Sequence, residues 1–411
     1  MTRRRPGPAA LLGAALSIAL LGCSALTESP LPETPGASGP ASSSPGRASS
    51  ESPAASAEVP TEPPSCAQAT LEAMTEAQRV GQLLMPKLPS PVISAAVRDA
   101  VVTYHIGNWW YGRTTIGVEA MRSVSDDLQA LATSANTAGT GFLVAANQEG
   151  GLVQGLSGSG FDTIPSALVQ GSWDVERLAA KATIWGGQLA DAGVNTDFAP
   201  VADVVPAGTE SRNGPIGQLR REFGHDPTVV ADHVGGFIDG LRDAGILTTV
   251  KHFPGLGRVA GNTDSVAQVV DTTTTLDDAY LEPFATAIET GTDFVMVSLA
   301  TYTQIDPDHL AAFSPAIMGD LLRDDLGFNG VIMSDSLSAT AVISISAAQR
   351  AVRFLEAGGD LIVLTPLAST LSMARAILSR ATTNAPFKAR VDDAVLRVLE
   401  AKDVAGLLPC D

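Results

Sequence analysis

The chain has 411 residues, 45% hydrophobic and 17% charged, with a formal net charge of −18. That length and apolar content suffice for a large buried core. So acidic a polypeptide is a poor partner for nucleic acid and for electrostatic attachment to anionic lipid.

The N-terminus supplies a different route to a membrane. Arg3-Arg4-Arg5 precede an apolar stretch from Ala9 to Leu21, too short and wrongly flanked for a spanning helix but suited to an export signal. It closes with Leu20-Leu21-Gly22-Cys23, which looks like a bacterial lipobox. Residues 1–22 are therefore read as a lipoprotein signal peptide and Cys23 as the lipidated first residue of the mature chain. An ordinary secretory signal with an incidental cysteine is the alternative, and the triple arginine suits general or twin-arginine export. Residues 23–65 are mostly Ser, Pro, Ala, Gly and Glu, a composition that cannot offset its ordering entropy by burial and predicts a disordered tether. At about 5–6 Å × √n it would extend roughly 35–40 Å. The expected location is the outer face of a bacterial cell membrane, within the envelope, with the lipid anchor as the only membrane contact.

Two further cysteines, Cys66 and Cys410, bracket the remaining chain. In an exported protein an unlipidated pair suggests a disulfide, with two unrelated buried thiols as the alternative.

From Cys66 onward, Leu71 to Leu84 has helical spacing with Thr75 as a cap ahead of Gln78. Short apolar runs then recur at Gln82–Met85, Ile106–Tyr111, Gly141–Ala146, Val194–Ala199, Ile246–Val250, Phe294–Ser298, Gly330–Met333 and Asp360–Leu364. Helical patterns fall between them at Trp173–Ala192, Pro227–Ala244, Asp277–Thr290 and Ala347–Ala357, and a last one follows at Arg390–Lys402. Eight strands alternating with helices predict an α/β fold, a single (β/α)8 TIM-type barrel over residues 66–411. A barrel brings its strand C-terminal ends to one face. Several runs end in polar residues there: Asn147-Gln148-Glu149-Gly150-Gly151, then Asp197 and Asp203, then Lys251-His252, then Ser334-Asp335-Ser336.

The fifth run leads into Lys251-His252-Phe253-Pro254-Gly255-Leu256-Gly257 and on to Asn262-Thr263-Asp264-Ser265. This stretch resembles the Lys-His-Phe-Pro-Gly-x-Gly signature of glycoside hydrolase family 3, in its single-domain β-N-acetylglucosaminidase branch. The segments "LGFNGVIMSDSLSA", "GVNTDFAPVADV" and "RREFGHDP" are similar to further parts of that family, and the likeness covers residues 70–405. It implies Asp335 as catalytic nucleophile, where spacing alone allows a helix cap. It also implies Lys251, His252 and Arg221 as sugar-hydroxyl ligands, with Arg220 as the rival register, and residue 147 as a further ligand.

The chain departs from the family pattern at several of these positions. Asn147 replaces a usual Asp, Gly155 a common Arg, and Leu256 and Leu299 each a usual His. The acid/base motif Asp-Ser-His reads Asp264-Ser265-Val266, and the five histidines are His105, His225, His233, His252 and His309. Asp264 acting alone, or a carboxylate or histidine from another loop, is expected to move the proton. No cluster has metal-ligand spacing and no Gly-rich stretch has a phosphate-cradle Lys-Ser/Thr, so neither metal nor cofactor is expected. The resulting expectation is a monomeric retaining hydrolase of terminal β-N-acetylglucosaminyl residues in cell-wall (peptidoglycan-derived) fragments. Its rivals are a non-catalytic glycan-binding lipoprotein, a β-glucosidase and a glycoside phosphorylase.

Overall fold

Eight of the apolar runs form eight parallel strands: Leu84–Leu88 (β1), Asn108–Tyr111 (β2), Leu143–Ala146 (β3), Thr196–Asp197 (β4), Leu247–Phe253 (β5), Phe294–Val297 (β6), Val331–Ser334 (β7) and Ile362–Leu364 (β8). This is a computed structural model that describes residues 64–410. Residues 1–22, Cys23 and all but the last two residues of the 23–65 tether lie outside the described residues. Strand order is β7-β6-β5-β4-β3-β2-β1-β8. A parallel bridge between Met333 and Leu361 joins the two ends of that series, so the sheet curls into the expected barrel. Strands covered on both faces cannot alternate polar with apolar residues. Accordingly Leu143–Ala146, Phe294–Val297 and Val331–Ser334 are buried at every position.

Helices Val175–Asp191, Pro227–Asp243 and Ala347–Glu356 pack outside the strands, close to their expected bounds. The helix expected over Asp277–Thr290 opens with a 3-10 turn, Ala279–Leu281, and is α-helical only from Glu282. Their starts follow capping chemistry. Asp226 accepts from the backbone N–H groups of Thr228 and Val229, and Ser346 from that of Gln349, satisfying donors that the first helical turn leaves free.

Several boundaries differ from the expectation. The helix expected over Leu71–Leu84 is two helices, Cys66–Ala73 and Glu76–Gln82, because Thr75 is extended and forms a capping box with Gln78. That second helix holds Gln82, so β1 begins at Leu84 rather than Gln82. Strand β5 runs past Val250 to Phe253 and is buried along all seven residues.

The base of the barrel is tied to the C-terminal helix Ala385–Val404. Lys402 is wholly buried, and its Nζ donates to Gln82 Oε1 (2.5 Å), Gly107 O (2.9 Å) and Gly141 O (2.8 Å), which lie just before β1, β2 and β3. Burial without a carboxylate partner pushes the Lys402 pKa well down. The expected Cys66–Cys410 disulfide is formed, with Cα atoms 5.9 Å apart.

Candidate active site

A cavity of about 500 Å³ opens at the C-terminal ends of the strands. Its lining collects Asn147, Arg221, Lys251, His252, Asp264 and Asp335, all six residues expected at the sugar site. Trp110, Phe198, Met296 and Val363, from different strands or their ends, supply its apolar surface. Trp110 is held by its indole N–H on Leu364 O at 2.9 Å and lies 6.2 Å from the Phe198 ring. The volume and mixed lining suit a small ligand with both polar and apolar faces.

The polar wall is built around a residue the sequence reading did not single out. Glu149, in the short strand Gln148–Gly150, is buried and accepts from Lys251 Nζ at 2.5 Å, Arg221 Nε at 2.8 Å and Arg221 Nη2 at 2.7 Å. Burial alone would raise its pKa, but Arg221 and then Lys251 outweigh that and hold it at about 2. Arg221 in turn has its pKa raised, because Glu149 overrides the burial that would lower it. Lys251 goes the other way: burial lowers its pKa despite Glu149. A planar guanidinium pairing two nitrogens with one carboxylate is a geometrically specific contact. Arg221 lines the cavity, whereas the neighbouring Arg220 is exposed and in left-handed backbone geometry (φ 57°).

Asn147 Oδ1 accepts from Lys251 Nζ at 2.9 Å. Where an Asp would add a second charge to the lysine, Asn adds only a neutral acceptor. At Gly155 a Cβ would lie 2.9 Å from the Asn147 carbonyl oxygen, so this backbone leaves no room for a side chain there. Asp197, at the end of β4, accepts from the Gln148 N–H at 2.9 Å. Burial raises its pKa to about 7.

Asp203 organises the histidine. His252 Nδ1 sits 2.7 Å from Asp203 Oδ2, and Asp203 Oδ1 accepts from Leu256 N at 2.6 Å. An ionised carboxylate has no hydrogen to give, so Nδ1 carries the proton and Nε2 is left as the acceptor, 3.4 Å from Arg221 Nη2. Lys251 and His252 are adjacent in β5, yet both line the cavity; the peptide bond between them is cis, and the pairing of β5 with β6 shifts register between Lys251 and Phe253.

Asp335 follows β7 and is half-buried. Its backbone N–H bonds Val297 O at 2.9 Å, and its Oδ1 accepts from Ser336 N at 2.7 Å. The alternative role as a helix cap has no helix to serve: the next element is the 3-10 turn Thr340–Val342, whose cap position is Ala339. Asp264 stands exposed at the rim, in the loop after β5. Partial loss of water, and then the Asp335 carboxylate, push its pKa up. These two are the acidic residues among those lining the cavity.

The other histidines serve elsewhere. His105 bonds Asn136 O, His225 bonds Val205 O, His233 bonds Val229 O and Trp173 O, and His309 bonds Asp306. Val266 is 39% exposed and is not among the residues lining the cavity.

The family model described as glycosyl hydrolase family 3 N terminal domain matches residues 75–401. The beta-hexosaminidase LpqI of Mycobacterium tuberculosis is 34% identical over 331 residues, covering 76% of this chain and 79% of that protein. The crystal structure of a beta-N-acetylhexosaminidase from Beutenbergia cavernae is 46% identical with a TM-score of 0.79, over 80% of this chain and 99% of that one. A family 3 beta-N-acetylglucosaminidase from Paenibacillus is 28% identical with a TM-score of 0.76, over 82% of this chain and 64% of that one.

Proposed function

We propose, for a chain that belongs to glycosyl hydrolase family 3 and is thereby a glycoside hydrolase, that it removes terminal β-N-acetylglucosaminyl residues with retention of configuration. Asp335 is the nucleophile and Asp264 the acid/base. The observation that carries this reading is the meeting of two carboxyl groups, Asp335 and Asp264, in one cavity beside the Lys251–His252–Arg221 wall. The names of the relatives support the choice of sugar.

In the first step the Asp335 carboxylate forms a bond to the anomeric carbon while the bond from that carbon to the leaving oxygen breaks. Asp264, whose pKa is pushed up by partial loss of water and then by the Asp335 carboxylate, gives its proton to that oxygen. In the second step the Asp264 carboxylate takes a proton from water, whose oxygen bonds the anomeric carbon and releases Asp335. Lys251 and Arg221 donate to sugar hydroxyls, and His252 Nε2 accepts from one. Peptidoglycan fragments as substrate, lipid anchoring at Cys23 and a place in the cell envelope belong to the same proposal, supported by the lipobox-like Leu20-Leu21-Gly22-Cys23.

Hydrolysis of an aryl β-N-acetylglucosaminide tests it. Asp335→Asn should lower kcat by at least about 10³-fold, and a 2-fluoro sugar should leave a covalent adduct on Asp335 visible in intact mass. Because Asp264 must be protonated in the first step, kcat/KM should fall as pH rises through its raised pKa, and Asp264→Asn should flatten that limb. Equal activity in the Asp335 variant, or an adduct on another residue, defeats the reading. Tight binding of wall fragments without turnover would point to a glycan-binding role instead, acceleration by phosphate to phosphorolysis, and preference for an aryl β-glucoside to a glucosidase.

A further inference from the structure

The two carboxyl groups come from different parts of the barrel. Asp335 follows β7, whereas Asp264 lies in the long loop after β5, at a rim where residues 264–268 are all exposed. Exposed loops have few apolar contacts to hold them, yet proton transfer to a departing oxygen demands hydrogen-bond reach. What holds Asp264 is therefore a mechanistic matter.

The loop has its own Asx turn, in which Asp264 N donates to Asn262 Oδ1 at 2.9 Å. That turn shapes the loop but does not fix it to the barrel. Earlier in the loop, Asn213 Nδ2 donates to Leu256 O and Val259 O and Gly214 N to Ala260 O; at Thr263 and Asp264 themselves the outside hydrogen bonds are with the segment that follows the nucleophile. Thr340 Oγ1 donates to Asp264 O at 2.7 Å, Thr340 N lies 3.4 Å from the same oxygen, and Ala341 N donates to Thr263 O at 3.1 Å. Thr340 is five residues after Asp335 and opens the 3-10 turn Thr340–Val342. Between them Leu337 is anchored on both sides: its N–H donates to Val363 O at 2.9 Å, and its carbonyl accepts from the buried Arg350. The segment is thus a fixed strut, and its hydroxyl grips the backbone of the acid-bearing residue.

We infer that Thr340 is a positioning residue that sets the distance between the acid/base and the nucleophile by bonding the Asp264 carbonyl. This rests on the reading of Asp264 as acid given above. In a chain with Val266 where the family places a proton-carrying histidine, the reach of a short aspartate has to come from its backbone position. Thr340 supplies that restraint directly.

The test separates proton donation from general damage through the leaving group. A dinitrophenyl leaving group departs without acid help, and an alkyl one does not. Thr340→Val removes the hydroxyl and keeps the shape, Thr340→Ala repeats the test if Val misfolds, and Thr340→Ser keeps the donor. Thermal melts check folding. The expected result is a loss of about tenfold or more in kcat/KM for an alkyl β-N-acetylglucosaminide with Val or Ala. The dinitrophenyl substrate should change less than about twofold, and Ser should restore wild-type behaviour. Equal losses on both substrates, no loss on either, or a Ser variant as poor as Val overturns the inference. Asp264→Asn is measured in parallel. If it shows no dependence on leaving group, the acid assignment falls and this inference with it; if it does and Thr340→Val does not, the bridge alone is wrong.

Discussion

At the scale of single residues, one carboxylate balances two cations. Glu149 meets both Lys251 and Arg221 in a buried setting, where an unpaired charge costs far more than a paired one returns. Glu149→Gln should therefore release both side chains from their cavity-facing positions. The expected loss in kcat/KM is roughly 10²–10³-fold, carried mainly by KM, since a broken buried pair costs about 3–5 kcal/mol. Steady-state kinetics check it. The same residue gives stability a pH signature. Its native pKa, depressed from 4.5 to about 2, contributes stability that is full above about pH 4.5 and lost as pH falls toward 2. In Glu149→Gln that acid-side loss should shrink, as urea unfolding at pH 3 and pH 6 would show.

At the scale of elements, the short hairpin of Gln148–Gly150 and Val153–Gln154 holds Asn147 and Glu149 against the end of β5. Gly155 closes it, donating its N–H to Asn147 O at 2.7 Å. Because a Cβ there would meet that oxygen, Gly155→Ala should push Asn147 away from Lys251. It should cost about 1–3 kcal/mol in thermal stability and raise KM. An unchanged melting temperature and KM would show that the hairpin gives way without cost.

At the scale of the whole molecule, the base and the rim divide the work. The base carries the Lys402 contacts to three carbonyl oxygens and the Cys66–Cys410 bond across 344 residues. Neither touches the cavity lining. Cys410→Ser should lower stability with kcat and KM unchanged. Loop-closure entropy sets an upper figure of about 5–6 kcal/mol, and a melt with and without reductant in the wild type should show the same shift. Altered kinetics in a folded Cys410→Ser variant would contradict this division.

The eight apolar runs and their order were legible in the linear chain, because a sheet covered on both faces demands unbroken hydrophobic strands and leaves its polar residues at the ends. The meeting of Asn147, Arg221, Lys251, His252, Asp264 and Asp335 followed from that topology together with the family likeness. Glu149 as the shared partner of Lys251 and Arg221, Asp203 as the holder of His252, and Thr340 as the grip on Asp264 were not legible. Each spans dozens of residues or more along the chain, and nothing in a local pattern encodes which distant side chains converge at bonding distance. Barrel closure alone decided those partners, and with them which groups are charged and where they stand.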